Sequence, residues 1–451
     1  MNKPDKFLIY VRPWNEEQMV HLARCIWGAE AKLVLTSEHR GPDTSGLPAA
    51  FNAAYRRLLP DSAPQHLTEA EAADIVLRCR LLRSLAPRKA RRLVMAMEHA
   101  ISQVLTETRP SIVMSITIDS YVIDLLALLC AKRDIQFMGL VPSFINGHFR
   151  ITARGEYVNS RLVSEAEVDS VLTDLVVTDY RPEFLVQTES ELYRKMWRLW
   201  LRNLLKPLWF AMRRMTPGNA NNYHFWSSQI IASQFWAFFP SKYHGISDKA
   251  LEALAEENDL PLIYLPLQMS PEATIDYWSS DTRWIDYEGF IVELLRRYQK
   301  KWRFAVKEHP NLLGQRSRGF YNRLRAEPNC VMVSPSMHSN DVMSLCRGIV
   351  VCTGSAGFEG ALRGMPILSD SSPYYAPNGK LLSISALDAD LPKVKPDLEQ
   401  RRALMAHILR GTLPGRFIND GTWSADNAEH LAHSKQMAAS IRDYLQTQRH
   451  Q

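Results

Sequence analysis

Apolar and polar positions along the chain alternate between short apolar runs and longer stretches with a helical repeat. Phe7–Val11, Ala31–Thr36, Ser111–Thr117 and Ile135–Leu140 read as strands, because runs this short and this apolar suit strands covered on both faces. Between them, Glu16–Trp27, the region Thr68–Thr108 and Ser120–Lys132 carry helical spacing. A second series follows. Its strands are expected at Pro261–Leu267, Arg303–Lys307, Cys330–Val333, Gly348–Cys352 and Pro366–Ser369, and its helices at Ile285–Lys301, Phe320–Arg325, Ser339–Cys346 and Ser355–Arg363. Helices at Leu398–Leu409 and Ala425–Tyr444 close the chain. Strands that alternate with helices predict parallel sheets with helices on both faces.

With 451 residues the chain exceeds one ordinary core, so two domains are expected. The expected fold class is α/β, with two Rossmann-like, doubly wound domains facing a cleft, which is the GT-B arrangement. The expected segments are 1–180, a helical connector 181–240, a second domain 241–420 and a C-terminal helix 421–451. Apolar residues make up 46% and charged residues 23%, the composition of a folded protein. The six cysteines form no Cys-x-x-Cys pair and no cluster with histidine, so buried thiols in a reducing compartment are expected. Met1–Lys6 leads straight into the first strand without a signal-peptide pattern. No apolar run is long enough to span a bilayer, and a cytoplasmic location is expected, peripheral to the membrane if the connector binds it.

The net charge of +6 matters because of where it sits. Leu192–Met215 holds seven basic residues (Arg194, Lys195, Arg198, Arg202, Lys206, Arg213 and Arg214), no acid, and the aromatics Trp197, Trp200, Trp209 and Phe210. Pro207 is expected to break or kink the helix. Basic, Trp-rich amphipathic helices lie in the headgroup layer of anionic membranes. The plainer reading is an inter-domain helix whose Leu and Trp residues pack on the core. Nucleic acid is not expected as a partner, since no recognition motif accompanies the basic run.

Candidate chemistry gathers in the second half. After the strand ending at Cys352, the turn Thr353-Gly-Ser-Ala-Gly357 opens a helix. Glycines allow close backbone approach, and a helix N-terminus offers unsatisfied N–H donors to a phosphate. Thr353 and Ser355 add hydroxyls. A tight strand-to-helix turn would use the same glycines for steric reasons alone, and no Walker pattern follows. Phe304-Ala-Val-Lys-Glu-His-Pro310 brings Lys307 and His309 to a strand end on one face, with Glu308 opposite. Tyr264–Thr274 carries Gln268 and Glu272 into a loop. Glu272 suits a base or nucleophile, or plain helix-start chemistry with Ser270 as cap and Pro271 in the first turn. In the first half, Asp119, Asn146, His148 and Arg150 follow strand ends and would line an opposite wall, with Asp119 equally suited to cap a helix. Asp388-Ala-Asp390 reads as a solvated loop rather than a metal site.

Pro266-Leu-Gln with Pro271-Glu-Ala, Val306-Lys-Glu-His-Pro310, Pro328-Asn-Cys-Val and Val351-Cys-Thr-Gly-Ser-Ala-Gly-Phe-Glu-Gly-Ala-Leu-Arg-Gly-Met-Pro366 together resemble the capsule polysaccharide biosynthesis family over Leu262–Leu368. The resemblance implies a GT-B-like glycosyltransferase, in some members a Kdo transferase using CMP-Kdo on lipid-linked glycans. It implies an acceptor role for the first domain and nucleotide-sugar binding for the second. Lys307, His309, Thr353, Gly354, Ser355, Gly357, Glu359 and Gln268 are the expected contacts to the donor, and His309, Glu272 and Asp119 the catalytic candidates. Partners are then a nucleotide-sugar donor and a lipid-linked or polysaccharide acceptor. No metal and no further cofactor are expected, because side chains and a helix end take the leaving phosphate's charge. A nucleotide-sugar epimerase, a CDP-polyol phosphotransferase and a non-enzymatic, membrane-associated capsule assembly factor stay open as alternatives.

Overall fold

The computed structural model describes residues 6–59, 63–177, 189–237, 243–257, 260–313, 315–376, 381–391, 397–419 and 421–449; the expected boundaries near 180, 240 and 420 lie outside the described residues. The chain forms two compact units. The first comprises Met1–Leu162, Phe210–Ser228 and Leu409–Gln451, and the second Val163–Trp209 and Gln229–Ile408. The stretch 181–240 is therefore shared between the units, and the last helix is part of the first unit rather than a separate segment.

The first unit is built on strands β1 (Lys6–Tyr10), β2 (Lys32–Thr36), β3 (Ile112–Ile116), β4 (Gln136–Pro142) and β5 (His148–Ile151), joined by the last strand of the chain, Leu413–Pro414. Reading across the sheet, Leu413–Pro414 lies beside β5, then β4, β3, β1 and β2. β1 runs parallel to β2 and β3, and β3 parallel to β4, while β5 turns back antiparallel on β4. β3 is buried at all five positions, as a strand covered on both faces must be. Helices Pro87–Thr108 and Tyr121–Ala131 flank it in sequence, and Ser120 caps the second with its hydroxyl on Ile123 N–H. β1 thus has its sequence neighbour β2 on one side and β3 on the other, so the connection reverses direction between β1 and β3.

The second unit carries β6 (Leu262–Pro266), β7 (Arg303–Lys307), β8 (Cys330–Val333), β9 (Ile349–Val350) and β10 (Ile367–Leu368). Their spatial order is β10-β9-β6-β7-β8, all parallel. Alternation is strict. Ile263, Leu265, Phe304, Val306, Val350 and Cys352 enter one apolar cluster, and Leu262, Tyr264, Ala305, Ile349 and Val351 the other. The chain moves from β6 to β7 and β8 on one side, then returns to β9 and β10 on the other. Open parallel sheets bind ligands in the crevice at such a reversal, beyond the strands' carboxyl ends.

Several elements differ from expectation. Thr68–Thr108 is two helices, Glu69–Arg78 and Pro87–Thr108, with a single tight turn at Leu82–Ser84 between them. The break falls at Pro87, which can start a helix but not continue one. Helix Leu47–Arg57 is not apparent in the sequence because Gly46 and Pro48 look like breakers; Pro48 sits in the first turn, where its missing N–H costs nothing. Among its described residues the connector holds three helices, Glu189–Leu204, Lys206–Met215 and Tyr223–Ala237, the first two divided at Leu205 with Pro207 in the first turn of the second. Among the described residues no helix is long and apolar enough to cross a membrane.

Gly139 shows how tightly β4 and the end of β5 approach: a Cβ there would lie 2.2 Å from the Thr152 carbonyl oxygen. Backbone cannot yield as a side-chain tip would. Gly139→Ala is expected to destabilise the first unit by about 3 kcal/mol, read as a lower midpoint in thermal or urea unfolding. An unchanged midpoint would mean the strands separate without loss.

Candidate functional site

At the reversal in the second unit, the chains leaving β6, β7 and β9 lie side by side. Leu267 N–H donates to the Lys307 carbonyl at 2.8 Å, which holds the exits of β6 and β7 together. The Gln268 side chain lies against Gly354, where a Cβ would be 3.0 Å from Gln268 Nε2. Thr353 Oγ1 donates to the Thr274 carbonyl at 3.0 Å, and Thr274 Oγ1 donates to Glu272 Oε2 at 2.7 Å. The expected residues of the 268–274 loop and the 353–357 turn thus meet across the crevice. The Thr353 hydroxyl, expected as a ligand donor, is engaged in tethering the loop. Glu272 is itself the cap residue of the short helix Ala273–Asp276, so the expected arrangement with Ser270 as cap and Pro271 in the first turn is replaced by one starting two residues later.

The turn opens helix Ser355–Leu362, with Gly354 as its cap residue. Tyr375 OH donates to the Gly354 carbonyl at 2.9 Å. A Cβ on Gly357 would stand 2.1 Å from that phenol oxygen. Glycine at 357 is thus set by Tyr375 packing as well as by backbone access. Ser355 is half-buried, and its hydroxyl makes no hydrogen bond among the described residues.

Lys307 ends β7 with 5% exposure. Among the described residues its ammonium makes no hydrogen bond and no ion pair. Burial pulls its pKa down to about 8, opposed by the charges of Glu359 and Glu308. Glu359, on the 355–362 helix, is pushed up to about 7 by burial, against Lys307 and Arg363. His309 lies beyond the end of β7, in the loop. Its Nδ1 accepts from Asn311 N–H at 3.2 Å, so the neutral ring keeps its proton, a donor, on Nε2. Burial, reinforced by Arg316, Lys307 and Lys195, lowers its pKa to about 4. The imidazole is neutral at physiological pH.

Glu308 faces the other side, as alternation requires. Its Oε2 accepts from Arg316 Nε and from Tyr321 OH, each at 2.7 Å, and its Oε1 from His309 N–H at 2.7 Å. Both side chains of the Glu308–Arg316 pair are 3% exposed or less. Arg316 also donates to the Gln268 carbonyl. Burial works against its charge, but Glu308 more than offsets this and holds the guanidinium protonated. Sequence reasoning missed Arg316 and Tyr375, since neither belongs to a motif or a periodic face.

Asp119 lies in the first unit, just beyond the carboxyl end of β3 at that sheet's own reversal. Arg12, beyond β1, grips it with two bonds of 2.7 and 2.8 Å and contacts Glu38 at 3.4 Å. Burial would raise the Asp119 pKa, yet Arg12 outweighs it and the net shift is downward. Ser120, not Asp119, caps the following helix. His39 and His224 meet edge to face nearby with ring centroids 5.3 Å apart, and burial and Arg12 lower His224 to about 4. Arg12, Glu38 and His39 were not singled out in the sequence, because each follows a strand with no pattern around it. Arg150, expected to line a wall, is buried and donates to the Gly155 and Glu156 carbonyls. His148 Nδ1 lies 3.1 Å from the Asn146 carbonyl. Asp388 pairs with Arg297 at 3.4 Å. A cavity of about 470 Å³ in the first unit, lined by Glu71, Asp74, Asp124 and Arg154 among others, includes none of the expected residues.

Residues 224–412 match the model of a family described as capsule polysaccharide biosynthesis protein, which bears out the resemblance over that range. No curated protein matches. Among solved structures, the chain is similar to the KpsC β-Kdo 2,7 transferase of Thermosulfurimonas dismutans, with 12% identity, 97% of this chain and 99% of that one covered, and a TM-score of 0.37. The β-Kdo 2,4 transferase of the same organism's KpsC gives 11% identity, 90% and 91% coverage and 0.34. The UDP-GlcNAc 2-epimerase of Methanocaldococcus jannaschii, in complex with UDP-GlcNAc and UDP, gives 12%, 97%, 99% and 0.25. These likenesses are loose, and the fold described above rests on strand order.

Removing one member of a buried ion pair strands the other charge. Arg316→Met is expected to cost about 3–5 kcal/mol of second-unit stability, with the paired change Glu308→Gln/Arg316→Met costing less. Urea unfolding of the three proteins checks this; equal losses in single and paired variants would deny the pair its role.

Proposed function

We propose that this protein is a glycosyltransferase that uses a nucleotide-activated sugar to build a capsule or other surface polysaccharide. The observation that carries the reading is the crevice between β6 and β9, where an unpaired ammonium, a neutral imidazole N–H and a helix N-terminus lie at adjacent strand ends. Each of these groups suits a phosphate. The family match over residues 224–412 supports the same reading.

In such a transfer the bond between the anomeric carbon and the nucleotide phosphate breaks, and negative charge grows on the departing oxygen. Preorganised donors aimed at that charge lower the barrier. Lys307 supplies a positive charge, His309 its Nε2–H, and Ser355 the N–H of the helix start, while the Gly357 N–H is engaged by the Gly354 carbonyl at 3.1 Å and Gly357 serves by its small size. Together they carry the leaving phosphate's charge with no metal required. Gln268, Gly354 and Glu359 shape the nucleotide end of the crevice, and Thr353 holds its rim. Glu272, on the loop tethered by Thr353, is the proposed carboxylate beside the donor. Asp119 is held ionised by Arg12, which makes it a poor general base and a good fixed negative charge. The finer assignment is CMP-Kdo as donor and a lipid-linked glycan or growing polysaccharide as acceptor, at the cytoplasmic face of the membrane.

Thermal shift of the purified protein against CMP, CDP, UDP and GDP tests the donor, because a ligand that binds only the folded state raises its melting temperature. CMP is expected to stabilise the wild type and to lose that effect in His309→Ala and Lys307→Met. Stabilisation by UDP or GDP alone would discard the Kdo-type donor, and no shift with any nucleotide would remove the central support for a transferase.

The same assay has a pH dependence. Lys307 is charged below about 8 and neutral above it. Nucleotide stabilisation should therefore weaken as pH rises through about 8, and Lys307→Arg should abolish that weakening. A flat profile in the wild type would take Lys307 out of the phosphate site. Glu272→Gln is expected to lower turnover by about 10²-fold or more while leaving the nucleotide shift intact; loss of the shift as well would make Glu272 a binding residue.

A further inference from the structure

Between Glu191 and Asp248 the chain contains no Asp or Glu. Helix Glu189–Leu204 enters this stretch after its acidic first turn, helix Lys206–Met215 lies within it, and each leaves a row of apolar side chains exposed. In the first, Leu192, Met196 and Asn203 are buried, while Trp197, Leu201 and Leu204 are 42%, 60% and 37% exposed. In the second, Pro207 is buried and Phe210 and Ala211 are half-buried. Leu208, Trp209, Met212 and Met215 recur at helical spacing on the opposite side and are 48–83% exposed, with Leu205 just before them at 69%. A surface helix of a globular protein normally shows the reverse polarity. A contiguous apolar face in water is unfavourable and marks a contact surface.

Charge identifies what covers it. Arg194, Arg198 and Arg202 follow one another every four residues, alongside the row Trp197, Leu201 and Leu204. None of the three arginines is in an ion pair among the described residues. Lys206 continues the basic border on the second helix; burial and the Arg202 charge lower its pKa. From Arg194 onward the outward side chains are aliphatic, indole or cationic. They include no carboxylate and no amide, the exposed Glu191 standing in the turn before, so they offer almost nothing directional for another protein to recognise. A fluid surface with anionic phosphates over an apolar interior needs no such matching: cations meet phosphates, indoles sit at the boundary, and Leu and Met enter the acyl layer.

We infer that these two helices seat the protein on an anionic lipid bilayer, with Leu201, Leu205, Leu208, Met212 and Met215 in the headgroup–acyl boundary and Arg194, Arg198, Arg202 and Lys206 on lipid phosphates. This stands independently of the proposed transferase activity.

The test is co-sedimentation of the full-length protein with vesicles of phosphatidylcholine alone and of an equal mixture with phosphatidylglycerol. Binding is expected on the mixed vesicles, weakened by salt, and weak on phosphatidylcholine. Leu208→Gln/Met212→Gln changes only exposed side chains, so it should keep the wild-type melting temperature and nucleotide response while losing about tenfold or more in partitioning. Arg198→Gln/Arg202→Gln should lose the preference for phosphatidylglycerol. The inference is overturned by a wild type that ignores phosphatidylglycerol vesicles, or by a Leu208→Gln/Met212→Gln variant that binds them equally well. It is also overturned if light scattering shows a wild-type dimer that this variant converts to monomer without any vesicle binding, since the face then belongs to a second copy of the chain.

Discussion

Glu308 is a carboxylate with no access to water, placed one residue beyond a strand end. Such a charge survives only if its oxygens are fully engaged. Arg316, Tyr321 and the His309 N–H engage them, and the same guanidinium reaches across to the Gln268 carbonyl. One cation therefore fixes the exits of both β6 and β7. The rest of the crevice follows from it. With Glu308 committed to one side of the sheet, Lys307 is committed to the other, where it faces Glu359 on the helix after β9. His309 is held by its own N–H on Glu308 and by its Nδ1 on Asn311, which leaves the proton on the remaining ring nitrogen. The electrostatics of the crevice are thus set in part by a buried pair whose charges reach Lys307 and His309 from the opposite side of the sheet.

The two sheets share one design. In each, the strand order reverses once, and in each a charged residue stands at the reversal: Lys307 near the β6/β9 crevice, and Arg12 with Asp119 between β1 and β3. Their states differ. Among the described residues Lys307 makes no hydrogen bond or ion pair, and burial weakens its charge. Arg12 and Asp119 satisfy each other and are both held ionised. The first arrangement is the one proposed to take an anion, while the second presents a fixed dipole with the carboxylate as its more exposed end.

The parallel strands were legible in the sequence because burial on both faces leaves an uninterrupted apolar run. Lys307, His309 and the 353–357 turn were legible because they stand at the ends of those runs. What could not be read was set by partners distant in sequence. Tyr375 dictates the glycine at 357, and Arg316 orders a loop through residues 8 and 48 positions away. Thr353 looked like a ligand donor from its place in a small-residue turn, but its hydroxyl found a carbonyl 79 positions upstream. Asp119 could be read as cap or functional acid until the cap proved to be its neighbour. The antiparallel strand β5 was missed for a simpler reason: it is four residues long and follows a turn glycine, so it shows no run to recognise.

The return of Leu409–Gln451 to the first unit has a consequence for how the protein is made. The strand Leu413–Pro414 completes the edge of the first sheet on β5, and helix Ala428–Arg449 packs against Glu16–Trp27, with Arg442 donating to the Cys25 carbonyl. A ribosome delivers these pieces only after the whole of the second unit. Domains generally fold as the chain emerges, amino-terminal parts first, but here the unit that begins emerging first is the one that must wait. The second unit, built almost entirely from an internal stretch, can close while the first still exposes the side of Glu16–Trp27 that its final helix will cover. During that interval the nascent chain carries a finished second unit attached to an unfinished first one, and any factor that shields the first must stay bound until Ala428–Arg449 has emerged.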